Sequence, residues 1–405
     1  MPNPNSPTWN YSLPAALLLM APFDILASLA MDIYLPVVPA MPGILDTTPV
    51  VIQLTLSLYM IVLGLGQVVF GPISDRIGRR PVLISGALLF GVASFLLAGT
   101  SSAAAFVALR VLQALGASAA LVATFATVRD VYAERPESAV IYGLFSAMLA
   151  CVPALGPIAG ALIADSLGWR AIFMALGLLA LAATANALAR WHETRRPSLA
   201  VDRPAFRLIL NSPAFWVYTL GFSAAMGAFF VFFSTAPRVL IDGVGCSQFG
   251  FSLAFATAAL AMIAPTRFAK RFVARWGIPG SLARGMAMLL LGAALLAVGQ
   301  LFAEPSFLSF VVPMWVIAVG IVFTGSVTAN GALEAFGDAA GTAVALYFCV
   351  QSLIVGTVGT LAVVMLGGDT AWPLIGYCAV MAVVTLCGLR LLQMRQPKMQ
   401  EMVAD

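Results

Sequence analysis

Residues 13–38 read LPAALLLMAPFDILASLAMDIYLPVV, an unbroken apolar run longer than the roughly twenty residues a helix needs to cross a bilayer. Two carboxylates, Asp24 and Asp32, stand inside it. An acid at the centre of a membrane helix costs at least about 2.5 kcal/mol on the insertion scale, so such a residue faces a cavity or a partner and carries function. No other apolar run in the chain contains an acid. This segment therefore sets the expectation for the rest: a helical membrane protein whose work depends on two titratable side chains.

The remainder of the 405 residues fits that setting. Hydrophobic residues make up 61% and charged residues 9%, against about 25% charged in ordinary soluble domains, and the mean hydropathy is +0.99. A soluble globular protein is excluded. Some twelve apolar runs are expected as helices near 13–38, 51–72, 82–99, 104–128, 139–164, 171–189, 214–237, 249–266, 281–302, 307–329, 342–366 and 371–393, which predicts an all-α polytopic bundle. The longest polar stretch divides it into a six-helix half over 1–190, a linker over 191–213, a second six-helix half over 214–393 and a tail over 394–405. The opening MPNPNSPTWNYS has neither a positive leader region nor a small-residue cleavage site, so no cleavable signal peptide is expected.

The net charge of +4 reads as topology and gives no reason to expect a nucleic-acid partner. With the N-terminus in the cytoplasm, all of the 21 basic residues except Arg110, Arg170 and Arg238 fall on the inner side, the bias that sets orientation in membrane proteins. Both termini are then cytoplasmic and a bacterial inner membrane is expected. Cys151, Cys246, Cys349, Cys378 and Cys387 have no metal-ligand spacing, and the four in apolar helices are expected as buried small residues. His192, the single histidine, lies in the linker and is expected to be solvated. Neither metal nor cofactor is expected.

The halves echo one another. Pro36 and Pro237 are expected to end the first helix of each half and Pro72 and Pro265 the second, Gly156 and Gly356 punctuate the fifth, and Trp169 and Trp372 open the sixth. Offsets near half the chain length are the mark of duplicated units with a substrate site near mid-membrane.

Residues 66–81, GQVVFGPISDRIGRRP, place Gly71, Asp75, Arg76, Gly78, Arg79 and Arg80 at the end of the second helix. Asp75 is suited to cap a helix or pair with one of the three arginines; a plain charged turn is the alternative. The second-half counterpart over 264–277, APTRFAKRFVARWG, keeps the bases without an acid. Arg110 and Asp32 stand at comparable depth from the external side and can meet, either as a static pair or as one made and broken in a cycle. Asp24 lies about 12 Å deeper and about 80° round the helix, so both acids can border one cavity. Gly156, Pro157 and Gly160 predict a kink and a close helix contact in the fifth helix. In the seventh, Phe222, Met226, Phe229 and Phe233 form one stripe, suited to an aromatic ligand or to plain packing. Tyr34, Tyr59, Tyr142, Tyr347 and Gln351 are polar groups within helices able to bond a drug hydroxyl or amide.

GPISDRIGRRP resembles the loop signature of the major facilitator superfamily. Arg110, Gln113 and Gly116 in RVLQALG are similar to that superfamily's fourth-helix motif, and LGPIAGA around Gly156, Pro157 and Gly160 resembles the fifth-helix motif of its drug:proton antiporters. MDIYLPVVP over 31–39 looks like the first-helix signature of twelve-helix exporters related to bicyclomycin resistance. PFDILASLAMDIYLP, TTPVVIQLTLSLY, TFATVRDVYAERPES and FFVFFSTAP extend the likeness to the phenicol exporters, which expel chloramphenicol and florfenicol. Two positions depart from the family pattern: Ala114 and Ala161 replace usual glycines.

The resemblance implies two pseudo-symmetric six-helix halves and functional weight on Asp24 and Arg110. It also implies an antiporter that exchanges protons for a small amphipathic antibiotic; a monomer is expected. Asp24, or Asp32 with Arg110, then carries the proton. The chain shows neither a phosphate-binding loop nor a nucleophile beside a base, so the driving force must be an ion gradient. One proton crossing 100 mV supplies about 2.3 kcal/mol. A tenfold proton gradient adds about 1.4 kcal/mol, enough for a roughly several-hundredfold drug gradient. The alternatives are an uptake symporter on the same scaffold and a non-transporting membrane sensor or enzyme.

Overall fold

The computed structural model describes residues 9, 11–132, 137–195, 206–302, 304–336 and 340–404, with the side chains at 137–139, 142–143, 146–147, 149–150, 270, 340 and 395–404 outside the description. The chain forms two compact units, Met1–Val37 with Met41–Val201 and Asp202–Asp405 with Val38–Ala40.

The first unit contains α1 (Leu13–Asp32), α2 (Pro49–Ile77), α3 (Arg79–Gly99), α4 (Ala103–Tyr132), α5 (Glu137–Leu167) and α6 (Trp169–Arg190). The second contains α7 (Pro213–Pro237), α8 (Gln248–Thr266), α9 (Ala269–Phe302), α10 (Val312–Leu333), α11 (Ala340–Ile354, continued through a π-helical turn at Val355–Gly359 and Thr360–Leu366) and α12 (Trp372–Ala404). Eleven helical stretches among the described residues are long and apolar enough to cross a membrane, and the remaining helix, α5, has the shorter apolar stretch Cys151–Leu167. Helix starts follow local chemistry. Proline occupies the first turn of α2 and α7, where its missing N–H is no loss. Ser212 and Ser247 accept the N–H groups of Phe215 and Gly250 at 3.3 and 3.0 Å, relieving donors that have no partner within the helix.

Small residues bring the helices together. A Cβ on Gly116 of α4 would meet the Phe90 N–H, and one on Gly86 of α3 the Gly116 carbonyl at 2.8 Å, so these two backbones touch. In the second unit Gly285 of α9 and Gly320 of α10 make the same mutual approach, at 2.9 and 2.7 Å. Its core is aromatic: the Phe232 ring stacks on Phe255 at 5.3 Å and on Phe310 at 5.6 Å.

Several expectations are corrected. The first helix does not run to Val38: α1 stops at Asp32 and the chain tightens into a 3₁₀ turn over Leu35–Ala40, because Pro36 and Pro39 lack the N–H groups a longer α-helix would use. Pro72 does not end the second helix; α2 carries it internally and continues to Ile77, as membrane helices tolerate. Cys349 and Cys378 are buried, but Cys151 and Cys387 are exposed on apolar helices, where a thiol is apolar enough to face outward. Two residues at the start of the linker pack against the first unit. Trp191 is buried, with its ring 5.3 Å from Trp9 and 5.8 Å from Phe23, and His192 is half-buried, stacked on Tyr11. The Trp9 indole donates to the Tyr132 hydroxyl at 3.1 Å, and the Tyr11 hydroxyl to the Arg190 carbonyl at 2.5 Å. Trp9 and Tyr11 thus form a strap folded over the end of α6.

Candidate functional site

Arg110 is fully buried in α4, seven residues after its start. Its Nη1 donates to the Ala30 carbonyl at 3.1 Å and to the Gln113 Oε1 at 2.6 Å. The guanidinium lies 4.4 Å from the Tyr59 ring centroid and 5.4 Å from that of Tyr34, a cation–π cage. Local folding explains the carbonyl. Since α1 stops at Asp32 and its last backbone bond runs from Ile33 to Leu29, the Ala30 carbonyl is an orphan of the helix end, where a cation is favoured. Around this point the network closes. Gln113 Nε2 donates to Ser94 at 2.8 Å, Ser94 to the Phe90 carbonyl at 2.7 Å, and the Tyr59 hydroxyl to the Ala27 carbonyl at 2.9 Å. Nε and Nη2 of Arg110 are buried without a hydrogen-bond partner.

The expected pair of Asp32 with Arg110 is not formed. The ion pairs among the described residues are Arg79 with Asp75, Arg79 with Asp130, and Arg129 with Asp130. Arg110 meets α1 at a backbone carbonyl, that of Ala30, and Asp32 is not among its acceptors. Close to its backbone, Asp32 packs on α5: a Cβ on Gly156 would meet the Asp32 Cβ at 2.9 Å, and one on Gly160 would run into the Ile33 carbonyl. Gly156, Pro157 and Gly160 are all buried, and the missing side chains of the two glycines let α5 clasp the broken end of α1.

Asp24 is 0% exposed and neither carboxyl oxygen has a hydrogen-bond partner. Asp32, the second acid, is 5% exposed. A buried ionised carboxylate without partners is strongly disfavoured, which makes Asp24 the outstanding unsolved polar group of the first unit.

At the opposite end of that unit Arg79 is a hub. It is buried, with Nη1 at 2.5 Å from Asp75 and 2.8 Å from Ser74 Oγ, and Nε at 2.8 Å from Asp130 of α4. Glu193, from the start of the linker, accepts the backbone N–H groups of Arg79 at 2.8 Å and Arg80 at 3.1 Å. It therefore supplies an anion to the first turn of α3. Gly78 makes room: its φ of 111° and ψ of 158° suit glycine, and a Cβ there would strike the Glu193 carboxylate. Arg80 donates to the Leu188 carbonyl at 2.9 Å, and Arg195 to the Arg76 carbonyl. Gly71 has open space beside it. Sequence reading missed Glu193 and the role of Asp130; an acid just after the sixth helix and one at the end of the fourth were the available signals.

The remaining candidate residues separate into packed and half-open positions. Tyr34 is buried against Phe106 and Phe173. Tyr142 lies in α5, but its side chain is outside the described residues. In the second unit the Tyr347 hydroxyl donates to Thr328 at 2.9 Å while its ring stacks on Phe222 at 4.9 Å. Met226 and Phe229 are half-buried. Phe233 is 2% exposed, between Phe230 and Phe255, so this end of the stripe is core. Gln351 is buried and accepts from Ser352 at 3.5 Å.

Comparison with known proteins places this arrangement. The chain is 52% identical over 380 residues, covering 94% of this chain and 91% of the relative, to a chloramphenicol resistance protein of Pseudomonas aeruginosa. It is 26% identical over 379 residues, 92% and 93% of the two chains, to multidrug resistance protein D of Escherichia coli. Over 386 residues, 91% and 94%, it is 27% identical to a bicyclomycin resistance protein homolog of Haemophilus influenzae. A solved POT family transporter in complex with 5-aminolevulinic acid shares the fold, with a TM-score of 0.73, 14% identity, and 95% and 96% of the two chains covered. The family model described as Major Facilitator Superfamily matches residues 24–360, and the chain belongs to that superfamily: it is a multi-pass membrane transporter and not an enzyme.

Proposed function

We propose that this protein is a proton-coupled antiporter of a bacterial inner membrane, with both termini cytoplasmic, that exports amphenicols such as chloramphenicol and florfenicol by alternating access. The cargo follows from the likeness to a chloramphenicol resistance protein at 52% identity. The coupling rests on one observation, the fully buried carboxyl group of Asp24 with both oxygens unpartnered.

Such a group is comfortable in this conformation only while it holds a proton. In a second conformation that admits water or cargo it releases that proton, and drug entry and proton loss become linked events. Arg110 is the fixed cation of the same unit. Its two spare N–H donors offer hydrogen bonds to an incoming acceptor, such as a drug nitro or amide oxygen. No resident cofactor takes part; the proton gradient is the energy source.

Chloramphenicol uptake into energised inside-out vesicles, with and without a protonophore, tests the reading. Wild type is expected to concentrate the drug and to lose that ability when the gradient is collapsed. Asp24→Asn and Arg110→Ala are expected to abolish uphill movement. Undiminished uphill transport by Asp24→Asn would show that the proton travels elsewhere, and drug accumulation in intact cells carrying the gene would show import.

A further inference from the structure

The junction of α8 and α9 carries three exposed cations outside the proposed transport site. Arg267, Arg271 and Arg275 follow one another at intervals of four residues, and all three are exposed. No acid occurs between Asp242 and Glu304, and among the described residues none of these arginines takes part in an ion pair. The contrast with the first unit is direct. There Arg79 is buried and held by Asp75 and Asp130; here the cations are left facing outward.

The geometry is built. The stretch from Ala269 to Trp276 is a helical segment set off from the rest of α9 by the kink at Gly277, whose φ of 65° lies in the left-handed region. Its inner side is aromatic. Phe272 and Trp276 stack at 5.0 Å and both meet the Phe323 ring of α10, at 4.8 and 5.4 Å. Arg284 lies 4.5 Å over Trp276 and donates to the Gly280 carbonyl at 3.1 Å, fixing the far side of the kink. Phe268, 48% exposed, extends the aromatic edge outward. The segment joins two apolar helices that end and begin here, so it sits at the depth where headgroups meet water. Aromatic rings and arginines interleaved at that depth are the chemistry of an interfacial anchor.

We infer that Arg267, Arg271 and Arg275 form a binding surface for the headgroups of anionic phospholipids, phosphatidylglycerol or cardiolipin. Each base near an anionic surface adds to lipid attraction, and a guanidinium matches a phosphate with paired donors. Phe272 and Trp276 anchor the helical segment that carries Arg271 and Arg275, and Arg267 lies two residues before its start. The surface stands whatever the cargo, because none of its residues belongs to the proposed transport site.

Native mass spectrometry of the purified full-length protein tests this, by counting cardiolipin and phosphatidylethanolamine adducts from an equimolar mixture. Wild type is expected to prefer cardiolipin, and that preference should weaken as salt is raised. The triple variant R267Q/R271Q/R275Q is expected to lose it by about tenfold or more, while R267K/R271K/R275K keeps most of it. Equal cardiolipin retention by the glutamine variant and wild type would overturn the inference, as would a preference insensitive to salt. A further arm adds inorganic phosphate. Failure to displace the lipid is expected, and full displacement by phosphate would assign the arginines to a free anion instead.

Discussion

Arg110 donates to the backbone carbonyl of Ala30 at 3.1 Å, and the carboxylate two residues further along the same helix, Asp32, takes no part in holding it. The cation is seated by a break in α1 and by an amide, with Gln113 at 2.6 Å as its second acceptor. Both ligands are neutral. Neither acceptor therefore cancels the positive charge.

Arg110→Lys is expected to fail despite keeping the charge. A single ammonium cannot serve the Ala30 carbonyl, Gln113 and the Tyr59 ring together as the planar guanidinium does. Transport should fall by at least about tenfold, the equivalent of about 1.4 kcal/mol, with normal membrane levels of the protein. Vesicle transport alongside quantitative immunoblotting checks this.

Gly160→Ala is expected to disrupt the clasp between α5 and α1. The added methyl group would run into the Ile33 carbonyl, a backbone atom that cannot swing away. Overpacking of this kind costs about 1–3 kcal/mol. The detergent-solubilised variant should melt several degrees below wild type, whereas Gly71→Ala, with open space beside it, should not.

Gly78→Ala and Glu193→Ala are expected to weaken the same junction by different routes. The first forces a side chain into a backbone region that disfavours it, at about 1–3 kcal/mol, and against Glu193. The second removes the acceptor from the Arg79 and Arg80 N–H groups, a loss of about 1 kcal/mol for a helix cap. Because both act on one contact, the double variant should be less destabilised than the sum of the single changes in thermal melts.

Trp9→Ala is expected to release the strap. It removes a buried indole from the Trp191 and Tyr11 rings along with the Tyr132 hydrogen bond, whereas Tyr132→Phe keeps both rings and removes the hydroxyl that accepts from Trp9, a bond worth about 1 kcal/mol. Trp9→Ala should therefore lower the melting temperature more than Tyr132→Phe does.

The helices were legible because a twenty-residue apolar run has one low-energy form in lipid, and Trp169 and Trp372 open their helices where expected. What escaped sequence reading depends on backbone breaks and distant pairings. The end of α1 at Asp32 creates the orphan carbonyl that Arg110 occupies, and no spacing of side chains announces a carbonyl. Glu193 meets the start of α3 across more than a hundred residues of chain. The π-helical turns at Arg238–Gly243, Phe307–Val311 and Val355–Gly359 likewise have no pattern in the apolar residues. The carboxylates were found because their rarity in apolar surroundings is visible in one dimension; whom they face is not.

The most direct test of the coupling assigned to Asp24 is proton release from the solubilised, unbuffered protein on addition of chloramphenicol, followed with a pH-sensitive dye. Wild type is expected to release protons as the drug binds, and Asp24→Asn to bind the drug with no release. Release of equal size from Asp24→Asn and wild type would contradict the account.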